Sequence, residues 1–142
     1  MSLQNRDSNL QDGLRAGLLA GIGWGIVTVL LSLMGGQLNL PAFLAEVVLG
    51  AAVGATLGSM NVLLYQVDAI KTGFWTGMAL YIPLALVGFA TGNWWGTSLL
   101  GGPILAKTGL IGLFCGPGLH AGFLALLACH IEKRKRGQWS EF

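Results

Sequence analysis

The sequence predicts an all-α, polytopic membrane protein with four transmembrane helices. Hydrophobic residues make up 54% of the chain and charged residues only 10%, whereas soluble domains carry about 25% charged residues. So few charges cannot cover a soluble surface, and lipid is therefore the expected solvent. The apolar residues also form four continuous runs, each close to the ~20 residues that a spanning helix needs.

None of the four runs has an acidic or basic residue near its middle. Each run is continuous rather than alternating, so it predicts a helix and not a strand of a membrane β-barrel. The polar segment before the first run has no apolar core and is not expected to be a cleavable signal peptide. The predicted parts are a cytoplasmic N-terminus at 1–12, a transmembrane domain at 13–131 with helices at 14–34, 43–65, 73–91 and 108–131, and a basic cytoplasmic tail at 132–142.

The basic residues predict the orientation, because lysine and arginine concentrate on the cytoplasmic side of membrane proteins. Seven of the eight lie on one side of the predicted spans, and only Lys107 lies on the other. Both chain ends are therefore expected in the cytoplasm. The seven are Arg6, Arg15, Lys71, Lys133, Arg134, Lys135 and Arg136.

The two halves of the chain have similar patterns. The first and third spans each open with a basic residue, a small residue and two glycines spaced by four, and the other two spans each contain Gly-x-x-x-Gly. The pattern indicates either two degenerate copies of one helical hairpin or a chance similarity between glycine-rich segments. A duplication would give a parallel internal repeat about an axis along the membrane normal. The corresponding pairs are Gly17–Gly21 with Gly73–Gly77 and Gly50–Gly54 with Gly112–Gly116.

Glycines recur on one face of the first, second and fourth helices. Small residues spaced by four let helix backbones approach closely in a membrane. Such faces could pack within the bundle, or they could admit a ligand, a pigment or a partner helix. Three glycine faces are more than a small bundle needs, which favours a homo-oligomer or a partner subunit. The predicted helix-packing residues of these glycine zippers are Gly17, Gly21, Gly25, Gly50, Gly54, Gly58, Gly112 and Gly116.

Glu46 and Lys107 occupy corresponding positions near the outer ends of the second and fourth spans. In a two-fold arrangement the two side chains could meet near the axis as an ion pair, which lipid tolerates better than either charge alone. Alternatively, each side chain extends separately to water. The sequence therefore predicts a candidate ion pair at the outer membrane face.

Few side chains within the spans could perform chemistry. His120 is the ionisable residue nearest the middle of a span, beside a bend expected at Pro117 that would free backbone carbonyls. A hydrogen-bonded packing role and a role in binding a metal, a haem or a proton both fit this position. Together with Tyr81 and Thr56 it forms a candidate intramembrane polar site. No catalytic set, phosphate-binding loop, metal site or cofactor is predicted, so no enzymatic activity is expected.

Short motifs distributed along the whole chain carry a resemblance: Leu14–Gly21, Gly50–Tyr65, Asp68–Thr72 and Gly92–Trp95. They resemble a family of small four-helix bacterial membrane proteins of unknown function, often encoded beside LytTR-type response regulators. The sequence departs from that family by lacking a histidine early in the third span and by its glycine-rich fourth span. Some family members restrain a partner regulator at the membrane. The resemblance therefore implies interaction rather than catalysis, in a bacterial cytoplasmic (inner) membrane.

Two classes of function remain open from the sequence. One is a non-enzymatic membrane interaction protein (a subunit, assembly factor or regulator) that docks through glycine-lined helix faces. The other is a small oligomeric channel or transporter for a neutral or weakly polar solute. The expected partners are the bilayer and either a second copy or another membrane subunit, and no nucleic acid. The basic tail at Lys133–Arg136 either only sets topology or also binds anionic lipid or a cytoplasmic partner.

Overall fold

The computed structural model describes the backbone of residues 3–36, 38, 40–91 and 102–137, and the side chains of 9–36, 38, 40, 43–80 and 117–137. Within these ranges the protein is all-α, with four helices and no strand. The predicted all-α class with four helices is thereby confirmed for the described residues. The helices are α1 at Leu3–Met34, α2 at Leu40–Ser59, α3 at Gln66–Thr91 and α4 at Gly102–Lys135.

The turn after α2 ends that helix six residues before the predicted end. Asn61 has a φ of 56°, a left-handed conformation that asparagine adopts more readily than most residues. The N–H of Val62 donates to the carbonyl of Leu57 (3.1 Å) and that of Asn61 to the carbonyl of Gly58 (3.2 Å). This is the Schellman pattern that ends helices. The apolar residues that suggested a longer helix form the turn into α3 instead.

The helices run alternately up and down. Hydrogen bonds at one end of the bundle connect Asn9 near the start of α1 with Asn61 after α2, and Asp12 of α1 with Lys135 at the end of α4. Consequently α1 and α3 run in one direction, and α2 and α4 in the other. We call this end of the molecule the polar end.

The first hairpin, α1–α2, is held by direct contact between helix backbones. A Cβ added at Gly17 would meet the carbonyl oxygen of Gly50 and lie 2.6 Å from the Cα of Gly54. One at Gly21 would lie 2.5 Å from the carbonyl oxygen of Glu46. These glycines therefore let the two helices approach more closely than alanine would allow. Gly25 and Gly58 continue the same seam, against Phe43 and Asn9 respectively.

The second hairpin, α3–α4, also packs through small residues. A Cβ at Gly73 would lie 2.5 Å from the Cβ of Ala125, and one at Gly77 would lie 2.5 Å from the carbonyl oxygen of Pro117. The register differs from that of the first hairpin. When the two halves are aligned so that Gly50 corresponds to Gly112, Pro117 corresponds to position 55. Gly77 faces Pro117, whereas its counterpart Gly21 faces position 46. The internal repeat stays a prediction. The packing of Gly112 and Gly116 lies outside the described side chains.

The outer surface of the described helices is apolar. Large hydrophobic side chains stand exposed along α1, among them Leu19, Ile26 and Leu30. Within the described residues, one segment is long and apolar enough to cross a membrane: Asn9–Met34, with 26 residues and a mean hydropathy of 2.0. Only 22% of its most apolar window is buried, whereas the core helix of a soluble protein would be mostly buried.

Candidate functional site

Glu46, near the start of α2, is a buried charged residue with 3% of its surface exposed. It lies four residues before Gly50 and eight before Gly54, so it occupies the same face of α2 as the glycine seam. Its backbone touches α1 at Gly21. The sequence spacing of four thus turns the carboxyl group into the bundle rather than towards its outer surface.

His120 of α4 is the partner of Glu46. The imidazole Nε2 lies 2.7 Å from the Glu46 Oε2, and the side chains are 19% and 4% exposed respectively. A distance of 2.7 Å is typical of a charge-assisted hydrogen bond. This core pair (Glu46 and His120) connects the first hairpin with the second. The sequence did not predict this contact. It indicated Lys107 as the partner of Glu46, and backbone carbonyls near Pro117 as the hydrogen-bond partners of His120.

Trp24 of α1 completes the surroundings of the core pair. Its ring centroid lies 6.3 Å from that of His120 and 4.9 Å from that of Phe123, which it meets edge to face. The indole Nε1 is buried and has no hydrogen-bond partner in the described part of the chain. An unsatisfied buried donor costs about 1–3 kcal/mol. The core pair therefore lies beside a polar group that a bound acceptor, such as water or a solute oxygen, would satisfy.

The core pair can hold a proton. An ionised carboxylate with a neutral imidazole carries a net charge of −1, whereas one further proton makes the pair neutral overall. An unbalanced charge in a low-dielectric interior is costly, so gain or loss of this proton changes the energy of the surrounding packing. The core pair is therefore suited to proton binding or transfer.

The other predicted site residues lie apart from the core pair or outside the described side chains. Thr56 is ten residues after Glu46 on α2, about 15 Å along the helix, and its hydroxyl donates to the carbonyl of Ala52 (2.8 Å). The side chains of Tyr81 and Lys107 are outside the described residues. The predicted Glu46–Lys107 ion pair stays a prediction, while Glu46 has His120 as its observed partner.

The polar end carries a second group of charges. The buried Glu132 carboxylate accepts a hydrogen bond from the Arg136 Nε (2.7 Å), and Lys135 and Arg136 both contact Asp12 at 2.9 and 3.3 Å. These contacts attach the end of α4 to α1. Lys135 and Arg136 of the tail are thus engaged within the chain.

The Asp12–Lys135 contact predicts a dependence of stability on pH. The hydrogen bond from Lys135 lowers the pKa of Asp12 from its ordinary 3.8, against an opposing effect of burial. A carboxyl group whose pKa falls on folding stabilises the fold above its unfolded pKa, and that contribution disappears as pH drops through the folded pKa. Below about pH 5, we expect the wild type to lose up to about 1 kcal/mol relative to Asp12→Asn. Denaturant unfolding of both proteins at a series of pH values measures this loss of stability. Parallel pH profiles for the two proteins would contradict the assignment.

Among the described residues, no group of three or more histidine, cysteine, aspartate or glutamate side chains could hold a metal ion. Cys129 is a free, buried thiol. Comparisons of the chain with family models, with curated proteins and with solved structures gave no match.

Proposed function

We propose that the chain is a multi-pass integral membrane protein with four spans. The chemistry of its outer surface supports this, because exposed positions of both hairpins carry large apolar side chains such as Leu30, Val48 and Trp75. Such a surface is costly in water and is matched to hydrocarbon. The charged contacts of Asp12, Glu132 and the tail gather at the polar end, as expected for a cytoplasmic face.

The proposed topology has a direct test by thiol labelling of intact cells. In a background without native cysteines, we expect Asn39→Cys and Thr97→Cys to react with a membrane-impermeant reagent from outside. We expect Asn5→Cys and Ser140→Cys to react only after the membrane is opened. Labelling of either terminal cysteine in intact cells would overturn the proposed orientation. Labelling of all four would overturn the membrane placement.

Within the membrane, we propose a non-enzymatic interaction protein, a subunit, assembly factor or regulator, whose contact with a partner depends on protonation of the core pair. The observation that carries this is the buried Glu46–His120 hydrogen bond between two hairpins. Within each hairpin the two helices pack closely through small residues, whereas each pair of helices from different hairpins packs less extensively. A change of charge at the core pair therefore acts on the contact between the two hairpins.

The glycine faces of the first hairpin are used inside the chain, since Gly17 and Gly21 contact α2. Docking through those faces would require the hairpin to open. We therefore place the partner on the outer faces of the bundle, because the geometry of these faces changes when the two hairpins move relative to each other. The proposed docking surface therefore differs from the glycine faces that the sequence indicates. The proposed class of function, a membrane interaction protein, is the same.

The core pair is isolated from other titratable groups in the described part of the chain. Glu46 is the one ionisable residue of α2. On α4 the next described groups are Cys129 and His130, about 14 and 15 Å further along the helix. On α1 and α3 the nearest described groups, Arg15 and Lys71, lie towards the polar end. The charge of the core pair is therefore not shared with another titratable group in the described part of the chain.

Purification from native membranes at natural abundance, after cross-linking, tests the proposal. At about pH 7.5 and about pH 5.5, on either side of the ordinary histidine pKa, we expect the wild type to retain a partner or a second copy in different amounts. Glu46→Gln should retain equal amounts at both values, and His130→Gln, which removes the histidine that lies apart from the core pair, should keep the pH difference of the wild type. A lone monomer throughout would overturn the interaction. Retention independent of pH in the wild type would overturn the role of protonation.

Proton-linked transport of a small solute is the second candidate, and the same core pair favours it, because buried ionisable residues between helices often mark proton pathways. Flux into proteoliposomes separates the two candidates. Transport predicts a proton flux into the vesicles. His120→Ala should abolish this flux, and Tyr81→Phe should lower it. Flux equal to that of protein-free vesicles would exclude transport.

A further inference from the structure

A groove of about 350 Å³ lies between α2 and α3. Thr56 and Met60 line it on α2, and Lys71, Trp75 and Ala79 line it on α3. We propose that this groove binds one phospholipid molecule, with an acyl chain along the groove and an anionic headgroup at Lys71. The proposal rests on the membrane placement proposed above.

The groove offers apolar surface to its occupant. Trp75 is 70% exposed, which leaves most of a large ring uncovered. Three threonines line the groove, Thr56, Thr72 and Thr76. Two of their hydroxyls are satisfied within their own helices: Thr56 donates to the carbonyl of Ala52 (2.8 Å) and Thr76 to that of Thr72 (2.8 Å). Neither hydroxyl needs a partner from the occupant. Hydrocarbon therefore fits the body of the groove.

Charge places the headgroup. Lys71 is exposed at the end of the groove nearest the polar end, and no carboxylate in the described part of the chain forms an ion pair with it. Asp68, one turn earlier on α3, does not line the groove. A single lysine at the membrane surface attracts anionic lipid by roughly 1 kcal/mol. An anionic phosphodiester headgroup is therefore the complementary group.

The length of the groove suits a lipid chain. From Lys71 to Ala79 the groove runs about 12 Å along α3, which matches part of an acyl chain.

Native mass spectrometry of the intact protein, released from vesicles of equal phosphatidylglycerol and phosphatidylcholine, tests this site. We expect one retained phosphatidylglycerol, an about fivefold loss of that preference in Lys71→Gln, and loss of the bound lipid in Ala79→Trp, which fills the groove. Arg15→Gln, which removes a positive charge at the same end of the bundle but outside the groove, should leave retention unchanged.

The other outcomes overturn the proposal. Equal retention by wild type and Lys71→Gln, or an equal loss in Arg15→Gln, would mean that no specific headgroup contact exists at Lys71. A photo-reactive residue at position 75 that captures protein rather than lipid would mean that a partner helix covers the groove. Failure of the wild type to enter vesicles would instead contradict the membrane placement itself.

Discussion

Replacing Gly17 by alanine should cost the bundle about 3 kcal/mol or more. The new Cβ would meet the carbonyl oxygen of Gly50 and approach the Cα of Gly54 to 2.6 Å. Both neighbours are backbone atoms, which cannot rotate away as a side chain does, so α1 and α2 must separate along their length. Overpacking of side chains costs about 1–3 kcal/mol, and a helix–helix separation reaches or exceeds the upper part of that range.

Gly23→Ala is the matched control for this prediction. A Cβ at Gly23 meets nothing within 4 Å, and alanine is preferred over glycine in a helix by about 1 kcal/mol. The same chemical change on the same helix should therefore be neutral or slightly stabilising at position 23 and strongly destabilising at position 17. Unfolding in detergent, followed by circular dichroism, measures both. Equal stability of the two variants would contradict the backbone packing of the first hairpin.

His120→Ala should cost about 3 kcal/mol, the second large effect. The substitution leaves the Glu46 carboxyl group buried without its partner, and breaking a buried pair from one side costs about 3–5 kcal/mol. Glu46→Gln should cost less, because an amide oxygen can still accept a hydrogen bond from the imidazole. Detergent unfolding at constant pH compares the two variants.

A double-mutant cycle separates the pair contact from simple loss of packing. Glu46→Ala and His120→Ala together should cost clearly less than the sum of the two single changes, since the second substitution removes a group already left without a partner. Additive costs would mean that the two side chains contribute independently. The core pair would then have no role in holding the hairpins together.

The helices were predictable because their signal is long and local. Four apolar runs set the number of helices, and glycines spaced by four marked a packing face of α1. The helix ends were less predictable, since they depend on short contacts such as the left-handed turn at Asn61. The start of α1 was missed because its first residues are polar, although they remain helical.

The core pair was only half predictable. His120 stood out as an ionisable residue within a span, but its partner is 74 positions away in sequence, and spacing within one helix cannot indicate such a contact. One local signal was available: Glu46 continues the four-residue spacing of Gly50 and Gly54. That spacing places the carboxyl group in the helix interface.

Nitrogen NMR of histidine-labelled protein in lipid nanodiscs tests the core pair most directly. Two histidines, His120 and His130, give the signals, and a His130→Gln variant assigns them. We predict that the chemical shifts of the His120 ring nitrogens change strongly when Glu46 becomes glutamine, while those of His130 stay as in the wild type. Identical His120 spectra in the wild type and Glu46→Gln would show that the imidazole has no contact with that carboxylate, and would contradict a proton-binding pair between the hairpins.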